Sequence, residues 1–192
     1  MKVKLFEVAE VRMGYSFRSR LEPELNGDVS VIQMKDIDDS NLLHPEGLVR
    51  IRMPELKDRH LVQDGDLMFK SRGASNTASL VGDNLGRTVL VAPMMQIRPD
   101  VDKIDAGYLQ WFINQPSTQA TLAGQAAGTA VKMVSKAALE QLEIDVPSLE
   151  TQRKIVEVGR LLSMEVKLMA EIVDRRKALI ERILKQKAQD AQ

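Results

Sequence analysis

The sequence predicts an α/β chain in two unequal parts: a mixed, β-rich domain over residues 1–147, then one long α-helix over residues 148–192. Three observations predict it. Gly, Pro and Asp punctuate the first part, with short β-rich runs between them. After Pro147 the chain has no proline, and Gly159 is its only glycine. From Ile155 onward apolar residues recur in alternating steps of three and four, the period of one helix face.

The elements follow in order. Residues 29–37 (VSVIQMKDI) alternate as a strand, and 48–52 (LVRIR) and 66–70 (DLMFK) are short strands. Residues 88–97 (TVLVAPMMQI) make one or two strands, with Pro93 imposing a bulge, a bend or an edge. Residues 105–114 form a short amphipathic helix with Leu109, Phe112 and Ile113 on one face, and 117–122 add a further helical turn. Ser135 caps a short helix through Leu142, and a strand over 144–146 ends at Pro147. Ser148 caps the long helix, with Glu150 in the first turn, where a carboxylate is favoured.

That helix spans ~60 Å at 1.5 Å per residue, far more than a small domain can cover. Its stripe runs through Ile155, Val158, Leu162, Met169, Ile172, Leu179 and Ile183, with Glu165 and Arg176 at the two interrupting positions. Leu161, Val166, Leu168, Val173, Ile180 and Leu184 widen it. Each such side chain is worth roughly 1.5–3 kcal/mol when buried, so the face calls for a partner. One copy per chain makes that partner another chain, and the heptad-like spacing makes the union a coiled coil. The alternative, a helix folded back on its own domain, suits a stripe this long and regular less well.

Composition excludes several classes of function. The 192 residues contain no cysteine, which removes disulfides, thiolate zinc sites and cysteine nucleophiles. No run has signal-peptide length or approaches the ~20 apolar residues of a membrane span, so a cytoplasmic location without membrane contact is expected. Phosphate-loop and dinucleotide-loop glycine motifs are missing, as is the Asn/Asp-Pro-Pro-Tyr/Phe motif of adenine methyltransferases. Glu55-Leu56-Lys57 imitates half of a nuclease motif, but its Pro-Asp partner would be Pro99-Asp100, in the wrong order. His44 and His60 have no metal-ligand spacing. The chain is therefore expected to be neither an enzyme nor a cofactor or metal binder. Basic and acidic residues balance at 27 each, with 17 against 20 over residues 1–148 and 10 against 7 beyond. Zero net charge argues against a non-specific DNA grip, which needs many phosphate contacts, but leaves room for a local basic face.

The junction Ile144-Asp145-Val146-Pro147-Ser148-Leu149-Glu150-Thr151-Gln152-Arg153-Lys154-Ile155 resembles the hallmark of specificity subunits of Type I restriction–modification systems: a short strand, a proline, then a helix opening Leu-Glu-x-Gln-x-x-Ile. Residues 8–17 (VAEVRMGYSF), 31–37 (VIQMKDI), 61–73 (LVQDGDLMFKSRG) and Gly128-Thr129-Ala130-Val131 resemble further family segments, in the same order. The resemblance implies that residues 1–147 are a target-recognition domain and residues 148–192 a dimerisation and methyltransferase-docking helix. It implies a full-length subunit with two such halves, their helices antiparallel, each domain reading half of a split site. This chain has one domain and one helix, so homodimerisation through an antiparallel intermolecular coiled coil is expected. The implied partners are double-stranded DNA, a second copy, a DNA methyltransferase subunit and, where present, a restriction and translocase subunit. The methyl donor and any ATP would belong to those partners.

Residue chemistry supplies DNA-reading candidates. Lys70, Ser71, Arg72, Ser75, Asn76 and Thr77 form a donor-rich stretch, in which Arg can read guanine and Asn adenine. Its bland reading is a solvated connection. Tyr15, Ser16 and Arg18, with Arg20 beyond, follow the Gly14 turn and are equally readable as a surface turn anchored by Phe17. Gln33 and Lys35 share a strand face with Val31 in this reading, and Lys132 is a phosphate contact. Trp111 and Phe112 read as core. The rival from another class is a protein-binding adaptor that competes with a full-length specificity subunit through its coiled coil and reads no DNA.

Overall fold

Turn residues cut residues 1–148 into strands of three to five residues, and each borrows its stability from neighbours in the sheets. The computed structural model describes residues 1–18, 20–73, 75–82, 84–126 and 133–190. They fall into two units, residues 1–153 and 154–192.

In the first unit the strands are β1 (Lys2–Lys4), β2 (Ala9–Met13), β3 (Val29–Ile32), β4 (Val49–Ile51), β5 (Leu67–Phe69), β6 (Ala78–Leu80), β7 (Thr88–Leu90), β8 (Met95–Pro99) and β9 (Glu143–Asp145). The helices are α1 (Leu5–Val8), α2 (Ala106–Ile113), α3 (Pro116–Gln125) and α4 (Lys136–Glu140), and α5 (Leu149–Asp190) begins here and makes up the second unit. An antiparallel sheet runs β2-β8-β5-β6. A mixed sheet runs β4-β3-β7, with β3 antiparallel to β4 and parallel to β7. β1 and β9 form a two-stranded antiparallel sheet. The expected fold class, a mixed β-rich domain followed by a long C-terminal helix, is the one observed.

β5 is Leu-Met-Phe with every residue buried, as suits the inner strand of a sheet covered on both faces. One apolar cluster joins Ile32, Met68, Leu90 and Met94, and another joins Val29, Val31, Ile51 and Val89. Beside β5, Asp66 is 1% exposed. It accepts Arg98 Nε at 2.7 Å, Arg98 Nη2 at 2.8 Å, Gln96 Nε2 at 2.5 Å and the Gln63 N–H at 2.6 Å. Both donors from β8 also reach the Leu61 carbonyl, at 3.3 Å from Gln96 and 3.2 Å from Arg98, so the network ties the segment before β5 to the sheet.

One expectation needs correction, one of two alternatives is settled, and one strand is new. Residues 29–37 are not one strand. β3 stops at Ile32, because the Asp36 carboxylate accepts the Gln33 N–H at 2.7 Å and folds residues 34–36 into a 3-10 turn. Gln33 and Lys35 therefore do not share a strand face with Val31. Residues 88–97 form two strands in two different sheets, joined by a turn that contains a cis Ala92–Pro93 bond. β6 is an unexpected strand. Its backbone is satisfied by side-chain amides as well as by β5: Asn114 accepts the Ala78 N–H and donates to the Ala78 carbonyl, both at 2.8 Å. Just before it, Gln119 accepts from the Asn76 N–H at 3.1 Å and donates to its carbonyl at 2.8 Å. These amides occupy a strand edge that would otherwise invite another chain.

Ser148 caps α5 as expected, its Oγ accepting the Thr151 N–H at 3.3 Å. Gln152, fully buried, explains the Leu-Glu-x-Gln pattern. Its Oε1 accepts the Asp105 N–H at 2.7 Å, and its Nε2 donates to the carbonyls of Pro147 at 2.9 Å and Lys103 at 3.3 Å. The first turn of α5 is thus locked to the N-terminus of α2, where the Asp105 carboxylate caps Tyr108 at 3.0 Å.

Candidate nucleic-acid interface

The turn over residues 91–94, which connects the two larger sheets, organises the site. Three neighbouring segments attach to it. Tyr15 N–H donates to the Leu90 carbonyl at 2.6 Å, and the Ala92 N–H donates back to the Tyr15 carbonyl at 3.0 Å. The Gly14 N–H reaches the Met94 carbonyl at 2.9 Å. A Cβ on Gly14 would lie 2.7 Å from the Val91 carbonyl carbon, so the close approach demands glycine. Val91 N–H donates to the Ile32 carbonyl at 3.0 Å, which brings in Gln33 and Lys35. Ser71 Oγ donates to the Pro93 carbonyl at 2.6 Å, which brings in Arg72. Met133 bridges to Arg72, and the Val134 N–H donates to the Ser71 carbonyl at 2.8 Å. Three stretches far apart in sequence therefore meet at one end of the sheets.

Within that meeting the candidate side chains divide into two groups. Ser16, Arg18, Lys35, Arg72 and Ser75 are exposed, while Tyr15 and Gln33 are half-buried. The others are engaged with the fold. Ser71 is fully buried, and Asn76, 8% exposed, donates its Nδ2 to the Lys70 carbonyl at 3.1 Å. Lys70 Nζ lies 3.3 Å from the carbonyls of both Ile37 and Asp38, and Thr77 Oγ1 donates to Asn41 Oδ1 at 2.5 Å. Lys70 and Thr77 hold the 70–77 loop against the 37–41 loop, Ser71 ties it to the 91–94 turn and Asn76 closes it on itself, with Arg72 left at the rim. Gly73 turns the chain there at φ +126°, open only to glycine at low cost. Lys132 and residues 128–131 lie outside the described residues.

The 38–44 loop is itself charged and braced. Asp38 accepts the Leu42 N–H at 2.9 Å and pairs with His44 Nε2 at 3.0 Å. The Leu42 N–H, then His44, hold its carboxyl below the usual range, and the Asp38 hydrogen bond raises His44 in turn.

Tyr15 also faces away from the turn. Its ring lies 4.8 Å from Phe17 and 5.4 Å edge-on to His60. A cleft of about 690 Å³ opens between the 15–24 segment and residues 51–53, lined by Arg18, Arg20 and Arg52 as well as Glu22 and Glu24. A neighbouring hollow of about 430 Å³ is lined by Leu56, Lys57, Arg59 and His60, and shares Tyr15 and Met53 with the first. Sequence reading grouped Tyr15, Ser16 and Arg18 but not these cations of the 52–60 segment, which alternate with Glu55 and Asp58 and form no visible basic run.

Tyr108 packs beside Trp111 at 5.6 Å and Phe112 at 6.2 Å, an aromatic group at the base of the domain's own helices. Among the described residues no set of His, Asp and Glu is gathered for a metal ion, and no helix is long and apolar enough to cross a membrane. On α5, Val158, Leu162, Met169, Ile172, Leu179 and Ile183 are between 49% and 66% exposed, and Ile155 is half-buried.

Comparison with known proteins follows the same outline. The family described as Type I restriction modification DNA specificity domain matches residues 1–175. No curated protein matches. Among solved structures, a chain from work on complex assembly and conformational transition of the type I R-M system is similar with a TM-score of 0.74 at 19% identity, over 95% of this chain and 43% of that one. The HsdS subunit from Thermoanaerobacter tengcongensis gives 0.62 at 19% identity, over 87% and 38%. The S subunit of a Type I restriction–modification system from M. genitalium gives 0.58 at 12% identity, over 91% and 41%. The chain thus spans less than half the length of the structures it matches.

Proposed function

We propose that this chain, which belongs to the Type I restriction modification DNA specificity domain family, reads one short DNA half-site and delivers a methyltransferase subunit to it without catalysing any step itself. The observation that carries the reading is the convergence on the 91–94 turn, which gathers Arg72, Lys35, Ser75, Ser16 and Arg18 as exposed donors on braced loops. Loops fixed in advance lose little entropy when a duplex arrives, and Arg and small polar side chains suit base edges and phosphates. In this reading Lys132 is a further phosphate contact. Ser71, Asn76, Thr77 and Lys70 act from behind, as the brace that aims Arg72.

The apolar face of α5 is the second half of the proposal. Two copies pair antiparallel through Ile155, Val158, Leu162, Met169, Ile172, Leu179 and Ile183, removing that face from water and placing a recognition domain at each end. The methyltransferase, and a restriction subunit where present, docks on the helices and brings its own cofactors. The assembly works in the cytoplasm.

The test is duplex binding by the complex of this chain with its methyltransferase. Sequence-selective binding that weakens with salt supports the reading. Arg72→Ala should lower discrimination by roughly 1–3 kcal/mol if the guanidinium reads a base in two-point fashion. A complex that assembles normally but shows no sequence preference would favour an adaptor acting through the helix alone, the role that zero net charge leaves open.

A further inference from the structure

The 52–60 segment is a charged feature beside the reading loops that the proposed function leaves unused. It is continuous with them. Tyr15 and Met53 line both hollows, and the Tyr15 and His60 rings meet edge-on at 5.4 Å. The residues lining the two hollows include five basic side chains, Arg18, Arg20, Arg52, Lys57 and Arg59, against three acidic ones, Glu22, Glu24 and Glu55. That excess of cations stands out in a domain whose residues 1–148 carry more acidic than basic groups. The balance makes this face locally suited to an anion in a chain with no net charge.

Lys57 and Arg59 are exposed, and among the described residues no carboxylate forms an ion pair with either. Arg59 Nε donates to His60 Nε2 at 3.3 Å, an arrangement that steadies the guanidinium and leaves its terminal nitrogens for an outside acceptor. The turn beneath them is held rigid. His60 N–H donates to the Lys57 carbonyl and Leu61 N–H to the Asp58 carbonyl, each at 3.0 Å. Arg12 Nη1 donates to the Arg59 carbonyl at 2.9 Å, and the Asp66 network grips the Leu61 carbonyl next along the chain. Burial first, then Arg59, Lys57 and Arg12, hold the His60 ring below its usual pKa.

We propose that the 52–60 turn is a second DNA-contacting element, in which Lys57 and Arg59 bind backbone phosphates of the duplex flanking the bases read by the Tyr15 and Arg72 loops. The proposal rests on the DNA-reading function above. The apolar floor of Met53 and Leu56 lies against the sugar edge, and the cations stand at the rim, where phosphates pass. These contacts carry no sequence information: they set register and add affinity.

The experiment compares the complete chain, bound to its methyltransferase, with a Lys57→Ala/Arg59→Ala double variant on the methylated duplex over a salt series. Losing two phosphate contacts should make the slope of log affinity against log salt shallower by about 2, with the methylated motif unchanged. A charge-keeping Lys57→Arg/Arg59→Lys variant should retain the parental slope, which separates charge from fold. A parental slope in the alanine variant overturns the proposal alone, because DNA reading would then stand without this turn. A changed motif overturns it too, since the turn would be reading bases. A parental complex without salt-dependent duplex binding overturns the proposal together with the reading on which it rests.

Discussion

Asp66 and Arg98 show what a single charged pair does in this domain. Asp66 is 1% exposed and accepts four hydrogen bonds, so removing its carboxylate strands Arg98 Nε and the Gln63 N–H and leaves Gln96 Nε2 and Arg98 Nη2 only the Leu61 carbonyl. Breaking a fully buried pair costs about 3–5 kcal/mol, and the partly exposed Arg98 puts this one at the lower end. Asp66→Ala should lower stability by about 3 kcal/mol or more in urea unfolding, and a loss under 1 kcal/mol would show that the network is idle. Gln152→Ala should cost about 1–3 kcal/mol for the Asp105 N–H and two carbonyls it leaves unmatched, read the same way. At this scale the sequence is half legible. Arg72 could be picked as an exposed donor from its place after a strand and beside Gly73. Ser71 and Asn76 looked equally suitable, yet they donate to Pro93 and Lys70 carbonyls inside the domain. A donor inventory lists hydrogen-bonding capacity, and only the fold decides which donors are already satisfied.

Among the elements, α5 is the most legible and β6 the least. A helix of 42 residues repeats its pattern about a dozen times at 3.6 residues per turn, so local errors average out. β6 has three residues, two of them Ala and Ser, and the amides of Asn114, just after α2, and of Gln119 in α3 complete the surroundings of β6 and the residue leading into it; no local periodicity could reveal that. The 29–37 segment departs from a single strand for a similar reason, because one carboxylate at Asp36 diverts the backbone into a turn. The prediction that belongs here concerns the α5 face. Met169→Glu combined with Ile172→Glu places two charges in a stripe whose members are 58% and 54% exposed in the single chain. The proposed dimer should then fall to monomers or aggregate in light scattering at micromolar concentration, while the recognition domain keeps its unfolding midpoint. A parental protein that is a well-behaved monomer would remove the coiled coil from the account.

For the whole molecule, symmetry turns one domain and one helix into a prediction about DNA. Two identical antiparallel helices have a twofold axis across their middle, and that axis relates the two recognition domains. DNA has local twofold axes as well, so a symmetric pair reads the same half-site on opposite strands. A 42-residue helix is ~63 Å long, so several unread base pairs should separate the half-sites. Inserting one heptad in the stripe, away from its centre, should change or abolish that spacing and leave the half-site intact. The most direct test is to map methylated sites in cells that express this chain with its methyltransferase as the sole specificity polypeptide. The account predicts a split inverted repeat with a fixed gap; methylation at a single unsplit motif, or at a split site with unlike halves, would contradict it.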